Sequence, residues 1–142
     1  MADRPRCHAT VPLQAWSAFI GSTVLDALTT EHWYDDILYT DCCPISFRTT
    51  TGQFKLEFDG KSRKWDLRVL DGDFPEPESI AVFSQSWVVR APTGNERIIG
   101  RTVVDVGTHG LCGTVTFDNG ARLVVRVEAN ANGDEYERHT VL

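Results

Sequence analysis

Alternation of apolar and polar side chains marks most of this chain as strand. Phe54, Leu56 and Phe58 are separated by Lys55 and Glu57, the period of two that a half-buried antiparallel strand requires. Ile45-Ser46-Phe47, Val115-Thr116-Phe117 and Arg122–Val127 repeat the pattern, and Trp65–Leu70 and Tyr136–Leu142 add two more runs. Asp118-Asn119-Gly120 joins two such runs, and Asn-Gly predicts a tight hairpin turn with both residues at positive φ. Arg48–Gly52 predicts a longer loop between its strands. A single strand is expected from Ser79 to Arg90, where Ile80, Val82 and Trp87–Val89 are β-formers.

Laying the chain over itself shows a repeat. Ile20–Ala27 matches Ile99–Val106 at five of eight positions, and the same order of runs follows each copy. The repeat bears on the first thirty residues, where Leu13, Trp16, Phe19, Ile20, Val24 and Leu28 lie at helical spacing. If Thr102-Val103-Val104 is extended, so is Thr23-Val24-Leu25. A short helical turn over Leu13–Ala18 followed by a strand from Ser22 is therefore expected, against a full helix to Leu28. The implied fold is mainly β, a β-rich α+β chain in which a duplicated antiparallel unit of about 8–10 strands forms a sandwich or barrel. A single domain spans 1–142. Its halves, 13–70 and 80–142, meet at the acidic, proline-containing seam 71–79. Trp16, Trp33, Trp65 and Trp87 are the candidate bulky residues of core or rim.

Composition narrows the partners. Fourteen Lys and Arg against twenty Asp and Glu give a net charge of −6, which disfavours phosphate backbones and anionic lipid. Neither nucleic acid nor a membrane is expected as a partner. Met1–Thr10 lacks an apolar leader core, and no run reaches the ~20 apolar residues of a spanning helix, so a cytoplasmic location is expected. Cys7, Cys42, Cys43 and Cys112 are too few for a disulfide scaffold and read as reduced thiols.

Catalytic and cofactor motifs fail on inspection. Gly60-Lys61-Ser62 lacks the earlier glycine of a phosphate loop, because position 55 is lysine. Among Cys7, His8, Cys42, Cys43, His109 and Cys112, His109 and Cys112 alone lie at the two-to-four residue gap that seats two ligands on zinc, and no second such pair completes a site. No metal or other cofactor is therefore expected. A nucleophile elbow is absent, and Asp35-Asp36, though paired carboxylates are the composition of a glycosidase site, are sequence neighbours that often point apart and read more simply as solvated. His32 with Cys43 is the remaining enzymatic alternative, a thiol and its base.

Charge is segregated along the chain. Leu25–Asp41 holds five acids and no Lys or Arg, and Asp71, Asp73, Glu76 and Glu78 form a second acidic surface. Within the first block, Trp33, Tyr34, Asp35, Asp36, Tyr39 and Asp41 interleave aromatic rings with carboxylates, the composition of an interface in which rings fill pockets while acids meet Arg or Lys. The bland alternative is that Trp33, Ile37 and Leu38 cap the core while the acids are solvated. In size, acidity and the pattern Ile99-Gly100-Arg101-Thr102-Val103-Val104-Asp105 followed by Thr116-Phe117-Asp118-Asn119-Gly120, the chain resembles small bacterial proteins of the toxin-immunity type. The resemblance implies a non-catalytic inhibitor, of toxin-immunity or anti-defence type, that occludes the basic surface of a partner protein such as a toxin enzyme. A β-barrel or sandwich holding a small molecule is the alternative of another class. Exposed edge strands would also allow a homodimer.

Overall fold

The computed structural model describes residues 13–41 and 44–142. Cys7, His8, Cys42 and Cys43, and the thiol-base pairing of Cys43 with His32, lie outside the described residues or depend on them. A short helix, α1 (Leu13–Phe19), leads into β1 (Val24–Tyr34), so the helix stops before Gly21 and the chain is extended from Val24. Then follow β2 (Ile37–Thr40), β3 (Ile45–Thr49), β4 (Gly52–Asp59), β5 (Lys64–Val69), β6 (Glu78–Val82) and β7 (Gln85–Arg90). A 3-10 turn at Asn95–Arg97 precedes β8 (Val103–His109), β9 (Cys112–Phe117), β10 (Arg122–Ala129) and β11 (Glu135–Val141).

The strands form two antiparallel sheets. The larger has the order β5-β4-β3-β1-β7-β6 with β2 also on β1, and the smaller has the order β11-β10-β9-β8. The mainly β sandwich expected from the alternation is present, and the sheets do not close into a barrel. Between them pack Phe19, Ile45, Phe47, Phe54, Leu56, Trp65 and Leu67 from one side and Val103, Val115, Phe117, Leu123 and Val125 from the other. Each large side chain withdrawn from water contributes ~1.5–3 kcal/mol, so these facing rows hold the layers together. Trp65 also donates its indole N–H to the carbonyl of Leu111 across the layers at 2.9 Å.

Reciprocal backbone bonds join the starts of β1 and β8. Gly21 N donates to Val103 O at 2.7 Å and Gly100 N to Val24 O at 2.8 Å, while Val24 N donates to Arg101 O at 3.0 Å and Val103 N to Ser22 O at 2.9 Å. Thr23 and Thr102 pair at the centre with their hydroxyls 3.1 Å apart. Both strands are bulged one step later, between Val24 and Asp26 and between Val103 and Asp105. The orders β1-β3-β4-β5 and β8-β9-β10-β11 correspond, as a local two-fold between the two threonines requires.

Three turns differ from expectation. At 118–120 only Gly120 has positive φ. Gly120 N bonds Phe117 O and Phe117 N bonds Ala121 O, so a three-residue loop replaces the two-residue turn. Asn119 is held instead by its side chain, which donates to Arg97 O and accepts from Ala121 N. The first-half loop is shorter than expected, because Thr49 pairs directly with Gly52 and its hydroxyl, bonded to Gly52 O and Thr51 N, closes the turn. The single strand over Ser79–Arg90 is a hairpin, β6–β7, folded at Phe83-Ser84. Phe83 takes φ 55° without any glycine or asparagine to signal it. That hairpin pairs with β1 in the larger sheet, and β6 begins at Glu78, inside the span read as seam.

Candidate functional site

The larger sheet extends past the smaller one where β2, β1, β7 and β6 lie side by side. Along β1 the inward-facing residues change from Ala27 to Thr29, Glu31 and Trp33 as the strand leaves the core. The change defines two environments, a polar cleft on the inner side and an aromatic face on the outer side.

The cleft occupies about 400 Å³ and is lined by Glu31, Trp33, Leu38, Asp41, Arg90, Thr93, Gly94, His139, Thr140 and Val141. Glu31 is only 5% exposed. One of its oxygens accepts the Trp33 indole N–H at 3.1 Å and the other meets Arg90 Nη2 at 2.8 Å. Asp41 Oδ1 accepts the backbone N–H of His139 at 3.0 Å, and the Asp41 carbonyl accepts from the Thr29 hydroxyl at 3.1 Å and from His139 Nδ1 at 2.6 Å. Because a carbonyl can only accept, the proton of a neutral His139 ring sits on Nδ1. Thr40 and Asp41 also bond Glu137 O, which fastens β2 to the edge of β11. The polar groups of the cleft are thus bonded to one another, as buried ionised groups must be.

The outer face is different in kind. Register places His32, Tyr34, Trp87, Gln85, Ile80, Val82 and Ile37 on one side of the sheet, since His32 faces Trp87, Trp87 faces Ile80, and Tyr34 faces both Gln85 and Ile37. His32 stacks on Trp87 with ring centres 4.9 Å apart and meets Tyr39 edge-on at 5.7 Å. Its Nε2 lies 3.0 Å from Gln85 Oε1. Tyr34, Ile37, Tyr39, Ile80, Val82 and Trp87 remain exposed, Ile37 by 70%, and Phe83 at the hairpin tip is fully exposed. Two turns end this face. Asp35 and Asp36, both at positive φ, connect β1 to β2, and Asp35 N donates to Ser84 O at 2.9 Å, so the acidic tip and the Phe83 tip stand side by side.

Of the residues singled out in the sequence, Tyr34, Asp35, Asp36 and Tyr39 therefore share one exposed end of the sheet. Trp33 points into the cleft instead, and Asp41 is buried there with His139. Asp71, Asp73, Glu76 and Glu78 are exposed along the connection from β5 to β6. The exposure of Ile80, Val82 and Phe83 has no sequence signal, because β-formers read equally well as core, and Trp87, a candidate for core or rim, lies at the surface. Glu31, a carboxylate on the face of β1 that carries Ala27, was a readable sign that the strand leaves the core. The link of Asp41 to His139 has no sequence signal.

Among the described residues no group of His, Cys, Asp and Glu is arranged to hold a metal ion, and no helix is long and apolar enough to cross a membrane. The architecture is an antiparallel β sandwich with an overhanging, aromatic sheet end. No family model, curated protein or solved structure matches the chain.

Proposed function

We propose that this chain is a non-catalytic binding protein of the inhibitor type, docking on the basic surface of a partner protein through the overhanging end of its larger sheet. The observation that carries this reading is the exposed row Tyr34, Ile37, Ile80, Val82, Phe83 and Trp87, ending at Asp35 and Asp36. Contiguous exposed apolar residues rimmed by charge mark interaction surfaces more often than bare solvent faces. Aromatic residues in such a patch supply most of the binding energy, while peripheral carboxylates steer a basic partner. The immunity-type resemblance agrees with occlusion of an enzyme's positive cleft. Glu31 is paired within the larger sheet, and Asp41 and His139 are engaged in joining the two sheets, which suits a structural role better than a catalytic one.

The test is affinity capture from lysate of the protein's own source. A stoichiometric basic partner should be retained by the wild type, and Trp87→Ala should weaken it by ~2 kcal/mol or more. Replacing Asp35 and Asp36 by Lys should chiefly slow association. A partner held equally well by all these variants places the interface elsewhere.

A second reading is supported by the cleft, whose ~400 Å³ lies within the range of small-ligand sites. Trp33, Leu38 and Val141 give it an apolar wall beside the Glu31–Arg90 pair. A small molecule released from the captured protein on denaturation, lost in Trp33→Ala, would favour it.

A further inference from the structure

The geometry points to strand addition as the docking mode: an extended, basic segment of the partner pairs with the free edge of β6. This rests on the docking reading above and specifies how it works. Among the described residues β6 pairs only with β7 and is the last strand of its sheet, and all five of its residues are exposed. Edges of this kind are normally blunted by lysine, proline or a bulge. Glu-Ser-Ile-Ala-Val has none of these within the strand.

Backbone direction can be read from the register. Phe83-Ser84 is a two-residue turn, so Val82 and Gln85 are the bonded closing pair. Alternation then turns Ile80 and Glu78 toward β7 and leaves the N–H and C=O of Ser79 and Ala81 facing outward. The bond from Asp35 N to Ser84 O on the other side of the hairpin keeps the same alternation. An added strand would lay alternate side chains beside Ile80, Val82 and Trp87 on the aromatic face, and the others beside Ser79 and Ala81.

Charge selects the occupant. From Asp71 to Val89 the chain has four acids and no Lys or Arg, and the tip beside β6 adds Asp35 and Asp36. A second copy pairing antiparallel at this edge would bring the acidic connection of one chain to the acidic tip of the other. A lysine- or arginine-bearing strand meets attraction at both ends.

The experiment titrates the isotope-labelled full chain with a blocked heptapeptide, Lys-Thr-Val-Thr-Val-Thr-Lys, at low salt. Binding should protect the Ser79 and Ala81 amides from hydrogen exchange by about tenfold or more. Ala81→Pro removes one outward donor without touching the β6–β7 ladder and should weaken binding about tenfold. Because that variant depends on a proline being accommodated, two peptide analogues N-methylated on alternate residues are titrated against the wild type. One parity should lose binding about tenfold and the other keep it. A glutamate-ended peptide should bind about tenfold more weakly than the lysine-ended one.

Equal binding by both N-methylated analogues, equal binding by the glutamate-ended peptide, or no binding at millimolar concentration overturns the proposal. So does a wild-type dimer in sedimentation that Ala81→Pro abolishes. Peptide shifts confined to Tyr34 and Trp87 and unaffected by Ala81→Pro would overturn strand addition yet leave docking at the overhang standing. Loss of that docking is read separately, from capture by the Trp87→Ala chain.

Discussion

Glu31 is the residue on which the overhang turns, because a carboxylate only 5% exposed is tolerable solely through its partners. Arg90 supplies the charge and Trp33 the second donor. Arg90→Ala should therefore destabilise the fold by ~1–3 kcal/mol, since it leaves a buried carboxylate without its counter-ion. Glu31→Gln, which keeps an acceptor for Trp33 and removes the charge, should cost less. Denaturant midpoints of the two variants give the comparison, and an Arg90→Ala no worse than Glu31→Gln would show that Glu31 is solvated. Gly94 makes a sharper residue-scale prediction. It sits at φ 86° with the position of a Cβ only 2.9 Å from Val141 Cβ, so Gly94→Ala combines backbone strain with a clash against β11. A loss of ~1–3 kcal/mol is expected from the strain alone.

At the scale of elements, the two hairpin tips of the overhang are built from residues that dislike their own geometry. Asp35 and Asp36 both occupy the left-handed region, which a two-residue turn of this kind reserves for Asn-Gly. Replacing Asp35 by Asn and Asp36 by Gly should raise the unfolding midpoint, by up to ~1 kcal/mol, while removing both charges from the tip. If the acids serve docking, the variant gains stability and loses partner capture together. Retained capture would assign the acids to the turn alone. These turns also explain what could be read from the sequence. The strands at Phe54–Phe58 and Arg122–Val127 and the acidic-aromatic end of β1 follow from the local pattern, while the helix stop follows from the repeat, against a helical spacing that runs on to Leu28. The fold at Phe83-Ser84 does not, because nothing in Phe-Ser-Gln-Ser favours positive φ and the turn exists only because β7 is claimed by β1. Nor could the burial of Asp41 be read, since His139 lies 98 residues away. Asn119-Gly120 misled in the other direction: its turn signal was real, but Arg97 engages the Asn side chain and the loop gains a residue.

For the whole molecule the question is what couples the two sheets beyond their shared core. At one end stand the reciprocal bonds around Thr23 and Thr102, and along one side the bonds from Thr40 and Asp41 to β11. On the surface Arg63, in the turn before β5, grips Glu135 at the start of β11 through two bonds of 2.7 and 2.6 Å. This pair gives the molecule a predictable response to acid. The side-chain hydrogen bond from Arg63 holds the Glu135 carboxyl below the usual carboxylate range. Such a group contributes stability in full above the ordinary carboxylate pKa, where both folded and unfolded chains are ionised. As the pH falls, the unfolded chain takes up its proton first, and the contribution is lost on passing down through the lower, folded value. Glu135→Gln removes it at every pH. The wild type should therefore unfold at a higher temperature than Glu135→Gln at pH 7, and the gap should close as the solution is acidified below about pH 4. Asp59, lowered chiefly by the backbone N–H of Lys61, titrates alike in both proteins and cancels from the difference. Both side chains of the pair are nearly half exposed, so added salt should shrink the pH 7 gap as well. A gap that is constant with pH would mean that the two chains differ by packing at position 135, and that the sheets are held together there without the ion pair.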